Sequence, residues 1–270
     1  MSRLITLLTD FGVASTYPAQ MKGVILGRCS TARIVDLSHE VPRHNVRTAA
    51  FMLASAAGAF PEGTIHVAVV DPQVGSARRV LAAEVAGQTF LAPDNGLLTV
   101  VMREGFGRRA NAAPVRVVSV ENHELFRTEV SSTFHGRDIF APVAAALAGG
   151  TSLDELGPPA DSIRQFDVPA PERTGETWRG EVLYVDPFGN LVTNIPGAPL
   201  AEAGPSGITV LVAGAVVRGL SRAYSDVPAG MLLAYIGSAG LLEVAVNRQS
   251  AASRLGAGIG TPVRVEANAS

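Results

Sequence analysis

The segment VVDPQVGSARR places a carboxylate, Asp71, at the end of an apolar run and follows it through a Pro/Gly loop with Arg78 and Arg79. An arginine that folds back onto such a carboxylate makes a pair suited to gripping and polarising a water more than to storing a proton. A surface ion pair of little energetic weight is the alternative for this segment taken alone. His135, in SSTFHGRD, follows an aromatic residue in a polar loop just before a helix, where solvent can reach an imidazole. Its neighbours Ser131, Ser132 and Thr133 read equally as loop and capping residues. In YVDPFGNLVTN, Asp186, Phe188 and Asn190 set an aromatic face beside a carboxylate and an amide. Those groups suit a purine nucleoside, by stacking and by hydrogen bonds to the base edge; a tight β-turn is the other reading.

Such groups need elements to hold them. Apolar runs end in aspartate at LITLLTD (Asp10), RIVD (Asp36), IHVAVVD (Asp71) and TFLAPD (Asp94). Buried parallel strands with carboxylates at their carboxyl ends would build an acidic cleft, where open α/β sheets place ligands. AQMKGVILGRC and VRTAAFMLASAAGAF show helical spacing between the runs, so the order βαβαβ predicts a parallel, helix-covered sheet. RDIFAPVAAALAGG predicts another helix, closed by Gly149 and Gly150. Asp94-Asn95-Gly96 reads as a turn rather than as chemistry, and Asp36-Leu37-Ser38-His39 as a helix cap or cleft lining. The expected division is an α/β domain over 1–160, a linker over 161–177 rich in proline and charge, and a second domain over 178–270. Short β-rich runs from WRGEVLYVD to LLEVAVN predict that the second domain is a small antiparallel β-barrel.

With 270 residues, a net charge of -2 and a pI near 6.2, the chain has no global basic field to hold nucleic acid or an anionic membrane. The single cysteine, Cys29, cannot form an internal disulfide, fits a reducing compartment and is expected to be a small buried side chain. The opening MSRLITLLTDFG lacks a signal-peptide pattern, and every apolar stretch is interrupted before the ~18 residues of a membrane span; a soluble cytoplasmic protein is expected. Asp10-Phe11-Gly12 lacks the context of a kinase magnesium motif. GAGIG near residue 256 lacks the strand and helix of a dinucleotide site.

Taken together, ITLLTDFG, QMKGVILG, IVDLSHEVP, VVDPQVGSARR, APDNGLL, SSTFHGRDIFAP and YVDPFGNLVTNI resemble, in order, the S-adenosyl-L-methionine hydroxide adenosyltransferases. These are hydrolytic relatives of the bacterial fluorinase and chlorinase. The resemblance implies a Rossmann-like amino-terminal domain, a carboxy-terminal β-barrel and a homotrimer with sites where one subunit's first domain meets a neighbour's second. It maps the family's Asp-Arg-His set onto Asp71, Arg78 and His135, and its ribose-binding aspartate onto Asp10. Around adenine and methionine it maps Asp186, Phe188 and Asn190, with looser matches at Ser238 and Asn247 in YIGSAGLLEVAVN.

S-adenosyl-L-methionine is then the substrate, adenosine and L-methionine the products, with no further cofactor and no metal. Fluorinase-like members carry tyrosine where Asp71 stands, serine where Gly136 stands and tryptophan where His44 stands, and this chain also lacks their long first-domain insertion. Gln73 stands where the hydrolase motif has glycine. The competing readings are a chlorinase-like halogenase, a metal-dependent phosphoesterase using the Asp-rich cleft with His39 and His135, and a non-catalytic sensor of S-adenosyl-L-methionine or adenosine. No HxH or HExxH motif favours the phosphoesterase.

Overall fold

The computed structural model describes residues 3–103 and 114–267, so Met1 and Ser2 of the opening segment lie outside the described residues. The chain forms two compact units, Met1–Phe166 and Asp167–Ser270.

The first unit is built on strands β1 (Leu4–Thr9), β2 (Arg33–Ser38), β3 (Ile65–Val69), β4 (Val80–Val85), β5 (Gln88–Pro93) and β6 (Arg116–Ser119). Their order in the sheet is β2-β1-β3-β5-β4-β6. The β1/β2, β1/β3 and β3/β5 pairs are parallel, as the alternating pattern predicts. β4 runs antiparallel to both β5 and β6. The reversal has a local cause: Ala86 and Gly87, at φ 51° and 75°, close a tight hairpin between β4 and β5.

Helix α1 (Tyr17–Arg28) carries Pro18 in its first turn, where the amide that proline lacks would go unpaired. Helix α2 (Val46–Ala57) is capped by Asn45, whose Oδ1 accepts the Thr48 amide at 2.9 Å. Helix α3 (Ala141–Gly149) follows a single π-helical turn over Gly136–Phe140, and Gly150 closes it at φ 111°. Met21 and Ile25 of α1 share one core with Phe140, Val143 and the inward residues Ile5 and Val67 of the sheet. Cys29 is half-buried against this core, more exposed than expected.

Asp10, Asp71 and Asp94 follow β1, β3 and β5, neighbours in the sheet, so these carboxylates do gather at one edge. Asp36 does not join them. Its strand runs on to Ser38, leaving Asp36 inside edge strand β2 and bound to Lys22 Nζ at 2.5 Å. The chain passes from β1 to β2 on one side and returns to β3 on the other. That makes the β1/β3 crevice a topological switch point, the place where such sheets bind ligands.

The second unit is all antiparallel. Its strands are β7 (Glu172–Thr174), β8 (Thr177–Val185), β9 (Leu191–Pro196), β10 (Ile208–Val212), β11 (Ala215–Arg218), β12 (Leu232–Ile236), β13 (Leu241–Val246) and β14 (Pro262–Ala267). They run β11-β10-β14-β8-β9-β13-β12, with β7 beside β8 inside the segment expected to be a linker. Ser221 N donates to Ala234 O at 2.8 Å, which joins the stretch after β11 to β12 and nearly closes a barrel. Alternation fills it: Ile208, Val210 and Val212 of β10 and Val263 and Val265 of β14 point inward. Among the described residues no helix is long and apolar enough to cross a membrane.

Candidate active site

At the switch point of the first unit lies a cavity of about 270 Å³, lined by Asp10, Phe11, Tyr17, His44, Asp71 and His135 among others. Asp71 arrives on the loop after β3, and Arg78, farther along that loop, folds back onto it. Arg78 Nε donates to Asp71 Oδ2 at 2.5 Å, and Nη2 also reaches that oxygen. The same Nη2 lies 2.8 Å from His135 Nδ1. Both members of the ion pair are nearly sealed, with side-chain exposures of 2% for Arg78 and 4% for Asp71. This answers the surface alternative: a pair so buried is not a solvated ornament, and breaking it strands a charge.

Two distant loops must meet for this to happen, and Gly75 lets them. At φ 82° it holds a conformation that L side chains rarely adopt, and a Cβ there would collide with the Ser132 carbonyl. Gly136 allows a second close approach, since a Cβ would stand 3.2 Å from Met21 Sδ and the Phe11 ring. The loop bearing His135 is fixed from below by Asp138, which is fully buried in the π-helical turn. It accepts from Ser131 N at 2.9 Å, Arg127 Nη1 at 3.0 Å and Arg137 Nε at 2.7 Å. Burial alone would raise the Asp138 carboxyl, but hydrogen bonds from Arg137, the Ser131 amide and Arg127 hold it below the usual carboxylate range.

Burial pushes the His135 imidazole below its ordinary value; the Arg78 charge adds to this while Asp71 and Asp138 oppose it. A neutral ring accepting from Arg78 at Nδ1 carries its proton on Nε2. Asp10 Oδ2 accepts the His44 amide at 2.9 Å, where His44 turns at φ 64°. Its other oxygen remains for a ligand hydroxyl. Phe11, Tyr17 and Phe134 form an aromatic cluster on the cavity wall, with centroids 4.8–5.9 Å apart. Tyr17 and Arg43, which also lines the cavity, were not singled out from the sequence, because neither sits in a pattern that separates it from an ordinary loop residue.

In the second unit Phe188, Asn190 and Asn247 line a cavity of about 450 Å³ with Tyr224. Phe188 is 77% exposed, its ring face available for stacking. Asp186 holds the β8–β9 turn instead of facing the cavity. Its Oδ1 accepts the amides of Phe188 and Asn190 at 2.9 and 2.8 Å, and its Oδ2 accepts Asn190 Nδ2 at 2.7 Å. The β-turn reading of this segment is therefore realised, while Phe188 and Asn190 of the same turn line the cavity. Asn190 Nδ2 also donates to Tyr224 Oη at 2.8 Å, Tyr224 pairs with Tyr235 at 2.8 Å, and Tyr235 donates to Glu243. Burial raises the Glu243 carboxyl, with Asp186 adding to the rise, and raises the Tyr235 phenol. Asn190 thus spends both Nδ2 hydrogens within the unit and is itself buried. Asn247 Nδ2 donates to Val227 O at 2.7 Å. Ser238 is exposed in the β12–β13 hairpin, at the opposite end of β13 from Asn247, and is not brought to this cavity.

His39 is buried between Thr9 Oγ1, at 2.9 Å, and Asp36 Oδ1, at 3.1 Å, and does not line the first-unit cavity. Among the described residues no three His, Cys, Asp or Glu side chains gather in a group that could hold a metal ion.

Comparisons with known proteins fall on both units. The profile of the SAM hydroxide adenosyltransferase N-terminal domain matches residues 5–157, and that of the C-terminal domain matches residues 180–264. The chain is 40% identical over 265 residues to the (R)-S-adenosyl-L-methionine hydrolase of Thermus thermophilus, covering 97% of this chain and 99% of that one. A fluorinase of an Actinoplanes species is 30% identical over 278 residues, covering 90% of this chain and 91% of its own. The crystal structure of an uncharacterised conserved protein from Thermotoga maritima superposes with a TM-score of 0.86 at 38% identity, covering 97% of this chain and 99% of the other. The matches to both domain families and the full-length similarity show that the chain belongs to the S-adenosyl-L-methionine hydroxide adenosyltransferase family.

Proposed function

We propose that this protein hydrolyses S-adenosyl-L-methionine by in-line attack of water at the ribose 5′-carbon, releasing adenosine and L-methionine. The observation that carries the reading is the single guanidinium of Arg78 bridging Asp71 and His135 at the switch-point cavity. A new carbon–oxygen bond forms as the carbon–sulfur bond breaks, and its electron pair leaves on sulfur as a neutral thioether. The departing sulfonium is already charged, so no acid is needed to protonate it. The catalytic work falls on the nucleophile, whose proton passes to solvent.

Water is a weak nucleophile that must be stripped of partners and aimed. Asp71 and Arg78 offer a fixed acceptor and donor for it, neutral His135 completes the grip, and Asp10 holds the ribose hydroxyls. The aromatic and amide groups of Phe188, Asn190 and Asn247 suit the adenine ring, with Asp186 securing the turn that carries the first two. Ser238 is left without a role on the second-unit cavity. The substrate is the only cofactor-like molecule required. The proposal extends to a homotrimer whose sites draw on more than one subunit, to be checked by sedimentation, and to a cytoplasmic location, supported by the lone cysteine.

Asp71→Ala and Arg78→Ala, assayed separately for adenosine release, are expected to lose about 100-fold or more of kcat. In oxygen-labelled water the label should enter the adenosine 5′-hydroxyl. Near-normal turnover in both variants, or label elsewhere, refutes the reading. Binding of S-adenosyl-L-methionine without product points to a sensor.

A further inference from the structure

We propose that Asp94 and Asn95 are positioning residues for this reaction, which with Arg79, Arg164 and Gln73 clasp both ends of the loop that presents Asp71 and Arg78. The inference rests on the hydrolytic reading of that loop. On sequence grounds Asp94-Asn95-Gly96 is a turn, and it is one, with Gly96 at φ 100°. Its two polar side chains nevertheless point to the neighbouring loop rather than only to each other's backbone.

Asn95 Nδ2 donates to the Val70 carbonyl at 2.8 Å, immediately before Asp71. Its Oδ1 accepts the Leu97 amide at 3.2 Å, which fixes the orientation of the amide group. Asp94 works at the other end. Its Oδ2 accepts from Arg79 Nε at 3.0 Å and Nη2 at 2.7 Å, immediately after Arg78. Its amide donates to the Arg79 carbonyl at 3.0 Å, so both backbone and side chain of residue 79 are held.

A third attachment secures the middle. Asp94 Oδ1 accepts the Arg164 amide at 2.7 Å, and Arg164 Nη1 donates to Gln73 Oε1 at 2.9 Å. Gln73 is the residue that departs from the glycine of the family motif, and glycine could not make this bond. The circuit therefore runs from Gln73 through Arg164 and Asp94 to Arg79, closed by the loop itself. Asp94 is 5% exposed and does not line the cavity that holds Asp71 and His135, so it acts only through the loop.

The physical need is clear from the chemistry. Arg78 must touch Asp71 and His135 at once, and its loop contains Gly75, whose conformational freedom would let the chain wander between its ends. A displacement of about 1 Å at a reacting group can cost a factor of 100 in rate. A double-ended clasp removes that freedom without placing any group on the substrate.

The test compares Asp94→Asn, Asn95→Ala and Arg79→Gln in the full-length protein. Arg79 is 38% exposed, so its variant is the one best placed to fold. Each should lower kcat for S-adenosyl-L-methionine hydrolysis by about 10- to 100-fold while KM stays within about twofold, because the substrate-holding groups are untouched. Arg79→Lys, which keeps the charge opposite Asp94, should recover part of the loss seen in Arg79→Gln.

The second readout needs no turnover. Releasing Arg78 from His135 should raise the His135 titration midpoint in NMR spectra of the folded variants, so the clasp is judged even if the wild type proves inactive on this substrate. An inactive wild type would count against the hydrolytic reading alone. Wild-type kcat and an unmoved His135 titration in Arg79→Gln and Asn95→Ala overturn the clasp. So does a loss lying entirely in KM or tracking only the folded fraction by circular dichroism. If Asp94→Asn does not fold, those two variants decide.

Discussion

Arg78 cannot surrender its charge, and its planar fork reaches two neighbours that can change theirs. That asymmetry makes the pH response of the site predictable. His135 accepts a hydrogen bond from Arg78 at Nδ1, and an imidazolium cannot accept one. Protonation would also set two cations face to face. Because burial and Arg78 hold the His135 midpoint below the ordinary 6.5, kcat/KM is expected to be flat through neutral pH and to fall on the acid side, below the range of a free histidine. An acid limb centred at or above the ordinary value would show that another group controls the rate. At this scale the sequence was informative about pairing: an arginine seven residues after a strand-end carboxylate pointed to the Asp71–Arg78 contact that the structure forms. It left two readings open for Asp186, a ligand contact or a tight turn, and the structure shows three hydrogen bonds within its own turn. The Tyr224, Tyr235 and Glu243 hydroxyl chain gave no signal because its members come from separate elements and share no motif.

Elements decide whether those residues meet. Period and composition located β1, β3 and β5, since strands buried on both faces read as unbroken apolar runs, and the carboxylates beyond them followed. The same logic misplaced Asp36, because an edge strand is largely open to solvent, with Arg33, Val35 and Asp36 all exposed, and carries polar groups within its length. The antiparallel hairpin of β4 and β5 was hidden in a stretch where Ala86-Gly87 is the whole turn signal. The loop between β3 and β4 carries Asp71 and Arg78, on which the proposed reaction rests, and Gly75 is held there at φ 82° against the Ser132 carbonyl. Gly75→Ala is expected to destabilise the fold by about 1 to 3 kcal/mol through its left-handed backbone alone. The collision with the Ser132 carbonyl should also push the Arg78 loop away from His135, lowering activity beyond what instability explains. Denaturant melts and assays well below the transition separate the two effects, and an unimpaired variant would show that the loops can part without consequence.

For the molecule as a whole, acid tolerance also draws on a buried group that does not line the first-unit cavity. His66 lies in β3 with no exposed surface, bonded to Thr6 Oγ1 at 2.7 Å and stacked on Phe90 at 4.8 Å. Burial pushes its imidazole from 6.5 down to about 4. Between those values the unfolded chain takes up a proton that the folded one refuses. Stability is therefore full above pH 6.5 and drains away as the pH falls toward about 4, by about 3 kcal/mol in all. His66→Gln, which can still bond Thr6 but does not titrate, should flatten this slope by about one proton in urea melts taken across the window. An unchanged slope would place the acid lability elsewhere. The two-unit organisation was legible because periodicity changes from alternating strands and helices to short β runs. The strand β7 was not, since its residues are exposed and carry no apolar alternation.

Strand β2 ends the first sheet, and its outer row of amides and carbonyls is a template on which a stray chain could grow. Arg33 and Asp36, both charged and exposed there, with Lys22 bound to the latter, make that template repellent to an apolar segment. The aspartate that misses the cleft thus serves as a gatekeeper, keeping a sheet rich in valine and isoleucine from recruiting its own kind into aggregates.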